Sequence, residues 1–225
     1  GWPSFLEKRV DILLLVNGEL HRPDILKERL GREAFDRVIA VDGGLRHAAA
    51  LGVTADTLLG DLDSAAGADR GFPGDVVTYP PHKNETDLEL ALLHAAGLGA
   101  ARIVLVGALG GRLDMTVSSI HLLLHPGLAG CRVEIWHGPE TSWVIRAPGG
   151  PVFGRPGDLV SVLPLCAEVT GVNNRGMQYP LRGETLAFGH ARGLSNVLTS
   201  EDAGLTFGAG EVLVVHCPAE TQGGL

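Results

Sequence analysis

Four short acidic segments carry the chemistry of this sequence. They are Val41-Asp42-Gly43-Gly44, Gly60-Asp61-Leu62-Asp63-Ser64, Asn84-Glu85-Thr86-Asp87 and Gly110-Gly111-Arg112-Leu113-Asp114. On extended backbone, Asp61 and Asp63 project to the same side. Two carboxylates held that way repel unless a cation or solvent separates them. Acidic groups gathered without a matching row of bases suit a hard cation such as Mg2+, which is usually held by one or two carboxylates plus substrate phosphates. Each segment also has a plainer use. Asp63-Ser64 suits a helix cap, Asp42-Gly43-Gly44 suits a tight turn, and Glu85, Asp87 and Asp114 suit a helical first turn. Lys83 stands directly before one cluster, where a helix start and a cation together suit a phosphate. Gly107-Ala108-Leu109-Gly110-Gly111 precedes Arg112. Backbone N–H groups in such a turn suit an anion, and Arg112 is placed to clamp a phosphate. No Gly-Lys-Ser/Thr follows, and Gly-x-Gly-x-x-Gly is absent, so this is neither a P-loop nor the dinucleotide fingerprint.

Most of these segments follow a hydrophobic run. Val10 to Val16, Arg37 to Val41, Thr57 to Leu59, Val76 to Tyr79, Arg102 to Val106 and Arg132 to Trp136 read as strands. Asp87 to Leu98 and Leu113 to Leu124 carry apolar residues at helical spacing. Alternation of the two predicts a parallel sheet covered on both faces, and ligands collect at the carboxyl ends of such strands. The pattern changes between Pro139 and Gly150. Beyond it lie short β-rich segments: Ser142 to Arg146, Leu159 to Leu165, Glu168 to Gly171, Thr185 to Phe188, Leu205 to Phe207 and Val212 to His216. Their spacing suggests a sandwich or jelly roll, with Ala147-Pro148-Gly149-Gly150-Pro151 as a turn. The expected class is α/β: a Rossmann-like parallel-sheet domain over residues 1–138, then an all-β, jelly-roll-like sandwich over 139–225.

With 225 residues, 45% of them hydrophobic, the chain is long enough for a substantial core. A net charge of -8 argues against a general nucleic-acid binder. The apolar run Asp11 to Val16 is too short to span a bilayer. The N-terminal residues show no signal-peptide pattern. Three widely spaced cysteines, Cys131, Cys166 and Cys217, suggest reduced thiols. A soluble, cytoplasmic protein without nucleic-acid or membrane partners is therefore expected. The nine histidines pair with no Cys motif, and no Gly-x-Ser-x-Gly elbow supports serine hydrolysis. In the second half, Gly176 to Leu181 and Gly193 to Asn196 stand out. Tyr179 offers a flat face to a ring, and Ser195 and Asn196 offer polar groups. A core tyrosine and a polar turn explain the same residues.

Taken in order, these segments resemble the thiamine pyrophosphokinase family. Val41-Asp42-Gly43-Gly44 resembles its Ala-Asp-Gly-Gly, and Gly60-Asp61-Leu62-Asp63-Ser64 fits Gly-Asp-x-Asp-Ser. Lys83-Asn84-Glu85-Thr86-Asp87 resembles Lys-Asp-Glu-Thr-Asp, and Gly110-Gly111-Arg112-Leu113-Asp114 fits Gly-Gly-Arg-x-Asp. Ser161 to Leu165, Gly176 to Leu181 and Ser195-Asn196 follow. The resemblance implies an ATP- and Mg2+-binding catalytic domain, a thiamine-binding and dimerisation β-sandwich, and a homodimer. It implies transfer of diphosphate from ATP to the hydroxyl of thiamine, giving thiamine diphosphate and AMP. On this likeness Asp61, Asp63 and Asp87 carry the metal and, with Asp42, form the catalytic set. Asn17, Gly18, Gly43, Gly44, Lys83 and Arg112 lie by the nucleotide, while Asp114, Tyr179, Ser195 and Asn196 contact thiamine. Three positions depart from the family pattern: Asn84 replaces a common Asp, Met115 a His or Gln, and Gln178 a Lys. A diphosphokinase for another small hydroxymethyl acceptor, such as a pterin, and a non-catalytic nucleotide or thiamine binder are the alternatives.

Overall fold

The computed structural model describes residues 9–61, 71–80 and 84–220, with Asp61 described in its backbone alone. The chain divides into two compact units, residues 1–138 and 139–225.

The first unit is built on six strands: β1 (Val10–Leu15), β2 (Arg37–Val41), β3 (Thr57–Asp61), β4 (Asp75–Tyr79), β5 (Ala100–Val106) and β6 (Arg132–His137). Their spatial order is β6-β5-β1-β2-β3-β4, and every neighbouring pair is parallel. Continuous apolar runs follow from burial on both faces. Ile12 to Leu15 and Ile103 to Val106 are fully buried. Leu13, Leu15, Val104 and Val106 pack with Leu26 and Leu30 of α1 (Pro23–Leu30) and with Ala48 and Leu51 of α2 (Arg46–Leu51). The third helix, α3 (Asp87–Gly97), packs on β2, β3 and β5 through its buried apolar stripe of Leu88, Ala91, Leu92 and Ala95. Thr86 caps it, its Oγ1 accepting a hydrogen bond from Glu89 N at 3.2 Å. α4 (Leu113–Leu122) follows the glycine-rich turn after β5.

The chain runs outward from β1 to β4 and then returns to place β5 on the other side of β1. That reversal is the topological switch point, where the strand ends leave a crevice. The opposite end of the sheet is closed by charge. The Arg102 guanidinium pairs with the buried carboxylate of Glu134 at 3.2 Å, and with Glu33 at 3.0 Å and Asp11 at 3.4 Å. Glu134 also accepts from the Trp136 indole at 2.9 Å and pairs with Arg132 at 2.7 Å. A buried charge is tolerable when paired and hydrogen-bonded in this way.

The second unit holds two antiparallel sheets. One has the order β12 (Asn196–Val197), β9 (Leu159–Pro164), β14 (Glu211–Cys217), β7 (Glu140–Arg146). The other runs β11 (Arg182–Ala187), β10 (Glu168–Arg175), β13 (Ala203–Thr206), β8 (Gly149–Val152). Trp143, Ile145, Val160, Val162, Val212 and Val214 of the first sheet meet Val152, Val169, Val172, Leu186 and Leu205 of the second in a single core. This is a β-sandwich. The segment predicted as a turn, residues 147–151, needs correction, because Gly149–Val152 form strand β8. Pro151 is tolerated because β8 lies at the sheet edge. Gly149 is needed there, since a Cβ would lie 2.1 Å from the Leu205 carbonyl oxygen.

Candidate functional site

A cleft of about 410 Å3 opens at the carboxyl ends of β1, β2 and β5. Its wall includes Asn17, Gly18, Glu19, Asp42, Arg46, Thr86, Asp87, Gly110, Gly111 and Arg112. Local sequence explains how these residues meet. The β1–β2 register pairs Leu15 with Ala40, so two residues further on Asn17 stands opposite Asp42. Asn17 Nδ2 donates to Asp42 Oδ2 at 3.4 Å. Asp42 adopts φ 50°, a left-handed conformation that Asp tolerates better than most residues. It turns the chain from strand into a 3-10 turn, Asp42–Leu45. Gly44 lies so close to β1 that a Cβ would sit 2.0 Å from the Leu15 carbonyl oxygen. On the other side Gly107, at φ 77°, approaches Val16 within 2.4 Å of where its own Cβ would be. Gly18 N donates to Gly107 O at 2.8 Å. Three strand ends are thus drawn into one tight floor.

Two residues that the sequence reading did not single out fix that floor. Arg46 Nη2 donates to the carbonyl oxygens of Asn17 and Gly18, both at 3.0 Å. His47 Nε2 lies 2.8 Å from the same Gly18 oxygen. His47 is buried, and burial is the main reason its pKa falls below the ordinary value. The Arg46 charge adds to the fall, and the Gly18 hydrogen bond opposes it. The neutral ring must then carry its proton on Nε2 to donate to Gly18. In the unfolded chain a histidine titrates near 6.5. Below that pH the unfolded state takes up a proton that the folded state resists, so His47 supports stability above about pH 6.5 and loses that effect as pH falls. Tm should therefore drop between about pH 7 and pH 5, and H47Q, which keeps an amide donor, should flatten that step. An unchanged profile in H47Q would remove His47 as its source.

The glycine-rich turn brings a different pairing. Arg112 Nε and Nη2 donate to Asp114 Oδ1 and Oδ2 at 3.1 Å and 2.5 Å. This exposed two-point contact holds Asp114 below the usual carboxylate range and raises Arg112. The residues predicted for phosphate and for thiamine are therefore partners of each other in the free protein. Gly110 N donates to Thr116 Oγ1 at 3.2 Å, which fixes the turn against α4.

The structure brings together five of the predicted residues, Asn17, Gly18, Asp42, Asp87 and Arg112, with Gly43 and Gly44 behind Asp42. The backbone at Gly60 runs beside Asp42, its ideal Cβ position 3.5 Å from Asp42 Cα. The next residue, Asp61, pairs in register with Tyr79. The Asp61 side chain, Asp63 and Lys83 lie outside the described residues. Among the described residues no group of three or more His, Cys, Asp or Glu is arranged to hold a metal. The described wall does supply carboxylates at Asp42 and Asp87, and the amide partner of Asp42 is neutral. A donor set of one or two carboxylates completed by phosphate oxygens is what Mg2+ takes, so the residues fit that ion.

In the second unit, Tyr179, Ser195 and Asn196 share one loop cluster. Asn196 is buried and its amide is committed to backbone. Its Oδ1 accepts from Tyr179 N at 2.9 Å and its Nδ2 donates to Tyr179 O at 2.7 Å. Ser195, at φ 52°, donates its N–H to Ser161 Oγ at 3.1 Å. The Tyr179 side chain stands half exposed above this frame. Asn196→Ala takes the acceptor from the Tyr179 N–H, while Tyr179 O keeps the Asn174 amide at 2.9 Å, and should cost about 1–3 kcal/mol. Chemical denaturation reads this as a lower midpoint at unchanged slope, and an unchanged midpoint would show that water replaces the amide.

Residues 32–135 match the family model for the thiamin pyrophosphokinase catalytic domain, and residues 150–212 match that for the thiamin pyrophosphokinase vitamin B1 binding domain. The chain belongs to the thiamin pyrophosphokinase family. It is an enzyme of that type, with both family domains in one chain. Solved structures agree in fold. Thiamine pyrophosphokinase from Bacillus subtilis superposes with TM-score 0.77 at 20% identity, over 92% of this chain and 99% of that one. Thiamin pyrophosphokinase from Geobacillus thermodenitrificans gives 0.77 at 25% identity, over 92% and 97%. Yeast thiamin pyrophosphokinase gives 0.77 at 15% identity, over 96% and 89%. No curated protein matches the chain significantly. Among the described residues, Cys131, Cys166 and Cys217 of this thiamin pyrophosphokinase-family enzyme form no disulfide. Among the described residues no helix is long and apolar enough to cross a membrane.

Proposed function

We propose that the protein transfers a diphosphate group from ATP to the hydroxyl of thiamine, forming thiamine diphosphate and AMP. The observation that carries this reading is the switch-point cleft, which gathers Asn17, Gly18, Asp42, Asp87 and Arg112 in a chain matching both family domains. The thiamine hydroxyl oxygen attacks the β-phosphorus of ATP, the bond from that phosphorus to the α,β-bridging oxygen breaks, and AMP leaves. The work of the protein is positioning and charge neutralisation. Asp61, Asp63 and Asp87, beside Asp42, are the carboxylates proposed to hold Mg2+, which supplies positive charge to the phosphate oxygens when bound. One carboxylate of this set takes the hydroxyl proton. Arg112 and Lys83 meet phosphate, and Asn17 and Gly18 border the nucleotide. Arg112 can do so once a phosphate replaces Asp114 at its fork, an exchange of one anion for another.

Asp114, Tyr179, Ser195 and Asn196 are proposed around thiamine, Asn196 through the loop it holds. The sandwich unit is proposed to pair two copies, which mass in solution at several concentrations tests. An active, strictly monomeric enzyme contradicts that pairing. Incubation with ATP, Mg2+ and thiamine tests the reaction. AMP and thiamine diphosphate in equal amounts, and neither with EDTA, are expected. Turnover with a hydroxymethylpterin and none with thiamine would replace the acceptor, and binding of both substrates without AMP would remove catalysis.

A further inference from the structure

The cleft has two arginines on its described wall, and they are held in opposite ways. Arg112 is neutralised, its fork closed on the Asp114 carboxylate. Arg46 is anchored but not neutralised. Its two contacts, at 3.0 Å, are to the uncharged carbonyl oxygens of Asn17 and Gly18, and both come from Nη2. Nη2 carries two of the five guanidinium N–H groups, so the three on Nε and Nη1 remain. Among the described residues Arg46 makes no ion pair, whereas Arg22, Arg102, Arg132, Arg175 and Arg192 each face a carboxylate. The carbonyls it grips belong to the floor itself, where Gly18 N meets Gly107 O and His47 holds the same Gly18 oxygen. A guanidinium fixed through one nitrogen, with its charge uncancelled and N–H groups left on Nε and Nη1, is pre-organised to meet an anion.

We infer that Arg46 is an anion-binding residue of this cleft, which meets the polyphosphate of the nucleotide with its uncancelled charge and the remaining N–H groups of Nη1 and Nε while its Nη2 holds the Asn17-Gly18 backbone. This rests on the nucleotide reading of the cleft given above. Arg46 would meet phosphate oxygens at once on arrival, whereas Arg112 must first leave Asp114. The two arginines thus divide the task between a standing cation and a released one. Arg46 acts on binding, so its removal weakens the hold on phosphate and leaves the hold on the nucleoside unchanged.

The test separates these two. The wild type, R46Q and R46K are compared for KM of ATP, for inhibition by Mg2+-tripolyphosphate and by adenosine, and for Tm. In R46Q the KM of ATP and the inhibition constant of tripolyphosphate should rise about tenfold or more, the worth of one charged contact. Adenosine inhibition should be unchanged even where loss of the Asn17 and Gly18 contacts lowers Tm, and R46K should recover part of the loss because it restores the charge. An unchanged tripolyphosphate constant in R46Q overturns the inference. So does an equal rise for adenosine and tripolyphosphate with a lower Tm, which would confine Arg46 to holding the loop. If the wild type forms no thiamine diphosphate, the reaction reading fails by itself. Calorimetric titration of tripolyphosphate into the wild type and R46Q then decides Arg46 separately, with equal heats or no binding to the wild type counting against it.

Discussion

Asp42→Asn is expected to lose turnover by about 100- to 1000-fold, the loss typical of removing one well-placed electrostatic group, while the fold stays intact. Asp42 ends β2 in a left-handed conformation, faces the cleft and accepts the Asn17 amide. Asn tolerates that conformation nearly as well as Asp. Its side-chain oxygen can still accept from Asn17, so only the charge is removed. Thermal unfolding should therefore move by no more than about 2 °C, and the Mg2+ concentration needed for half activity should rise. Asp42→Ala is the informative contrast, because Ala in a left-handed position adds a backbone cost of roughly 1–2 kcal/mol. Wild-type turnover in Asp42→Asn at ordinary Mg2+ would take Asp42 out of the chemistry and leave it as a turn residue.

Gly44→Ala is expected to fail the other way, in folding before chemistry. Its Cβ would sit 2.0 Å from the Leu15 carbonyl oxygen and 2.7 Å from the carbonyl carbon. Both atoms are backbone of the buried end of β1, so neither side can yield. The cost should reach at least about 3 kcal/mol, the upper end for overpacking a core, and should show as low soluble yield or a collapsed denaturation midpoint. Gly43→Ala makes the control. Its Cβ would meet Asn17 Oδ1 at 2.5 Å, but that is the end of a side chain free to rotate. Stability should hold nearly steady in Gly43→Ala while the Asn17–Asp42 contact is lost. A stable, folded Gly44→Ala protein would mean that β1 and β2 separate more easily at their ends than the packing indicates.

The parallel sheet was legible because its strands are buried on both faces and leave unbroken apolar runs. Arg37 to Val41 has the same bounds in both, and Val10 to Val16 differs from β1 by one residue. The helix at Asp87 was legible from its first-turn acid and the apolar spacing behind it, whereas its Thr86 cap came only with the structure. Strand β8 was hidden because its residues, Gly149-Gly150-Pro151-Val152, have turn composition and form a strand only where β13 supplies the partner. Arg46 was hidden for a similar reason. One helical turn past Asp42, it looks like any surface arginine until the fold brings Asn17 and Gly18 beneath it. Asn196 was legible as a notable residue but not in its use. A polar side chain beside Ser195 suits a ligand as well as it suits a backbone, and burial among loop amides decides between them.

The order of the strands also bears on how the protein is made. β1 leaves the ribosome before the other described strands, yet its two neighbours are β2, close behind it, and β5, which ends at Val106. Long-range parallel pairing is slow to form and leaves apolar edges open until it does. A nascent chain that stops short of Ala100 lacks both the strand that covers one side of β1 and the carbonyl that receives Gly18 N. Its Ile12 to Leu15 segment is a bare hydrophobic edge, which is the kind of segment that chaperones hold. The cleft therefore closes only after Gly107 has been added, in the step that covers the second side of β1.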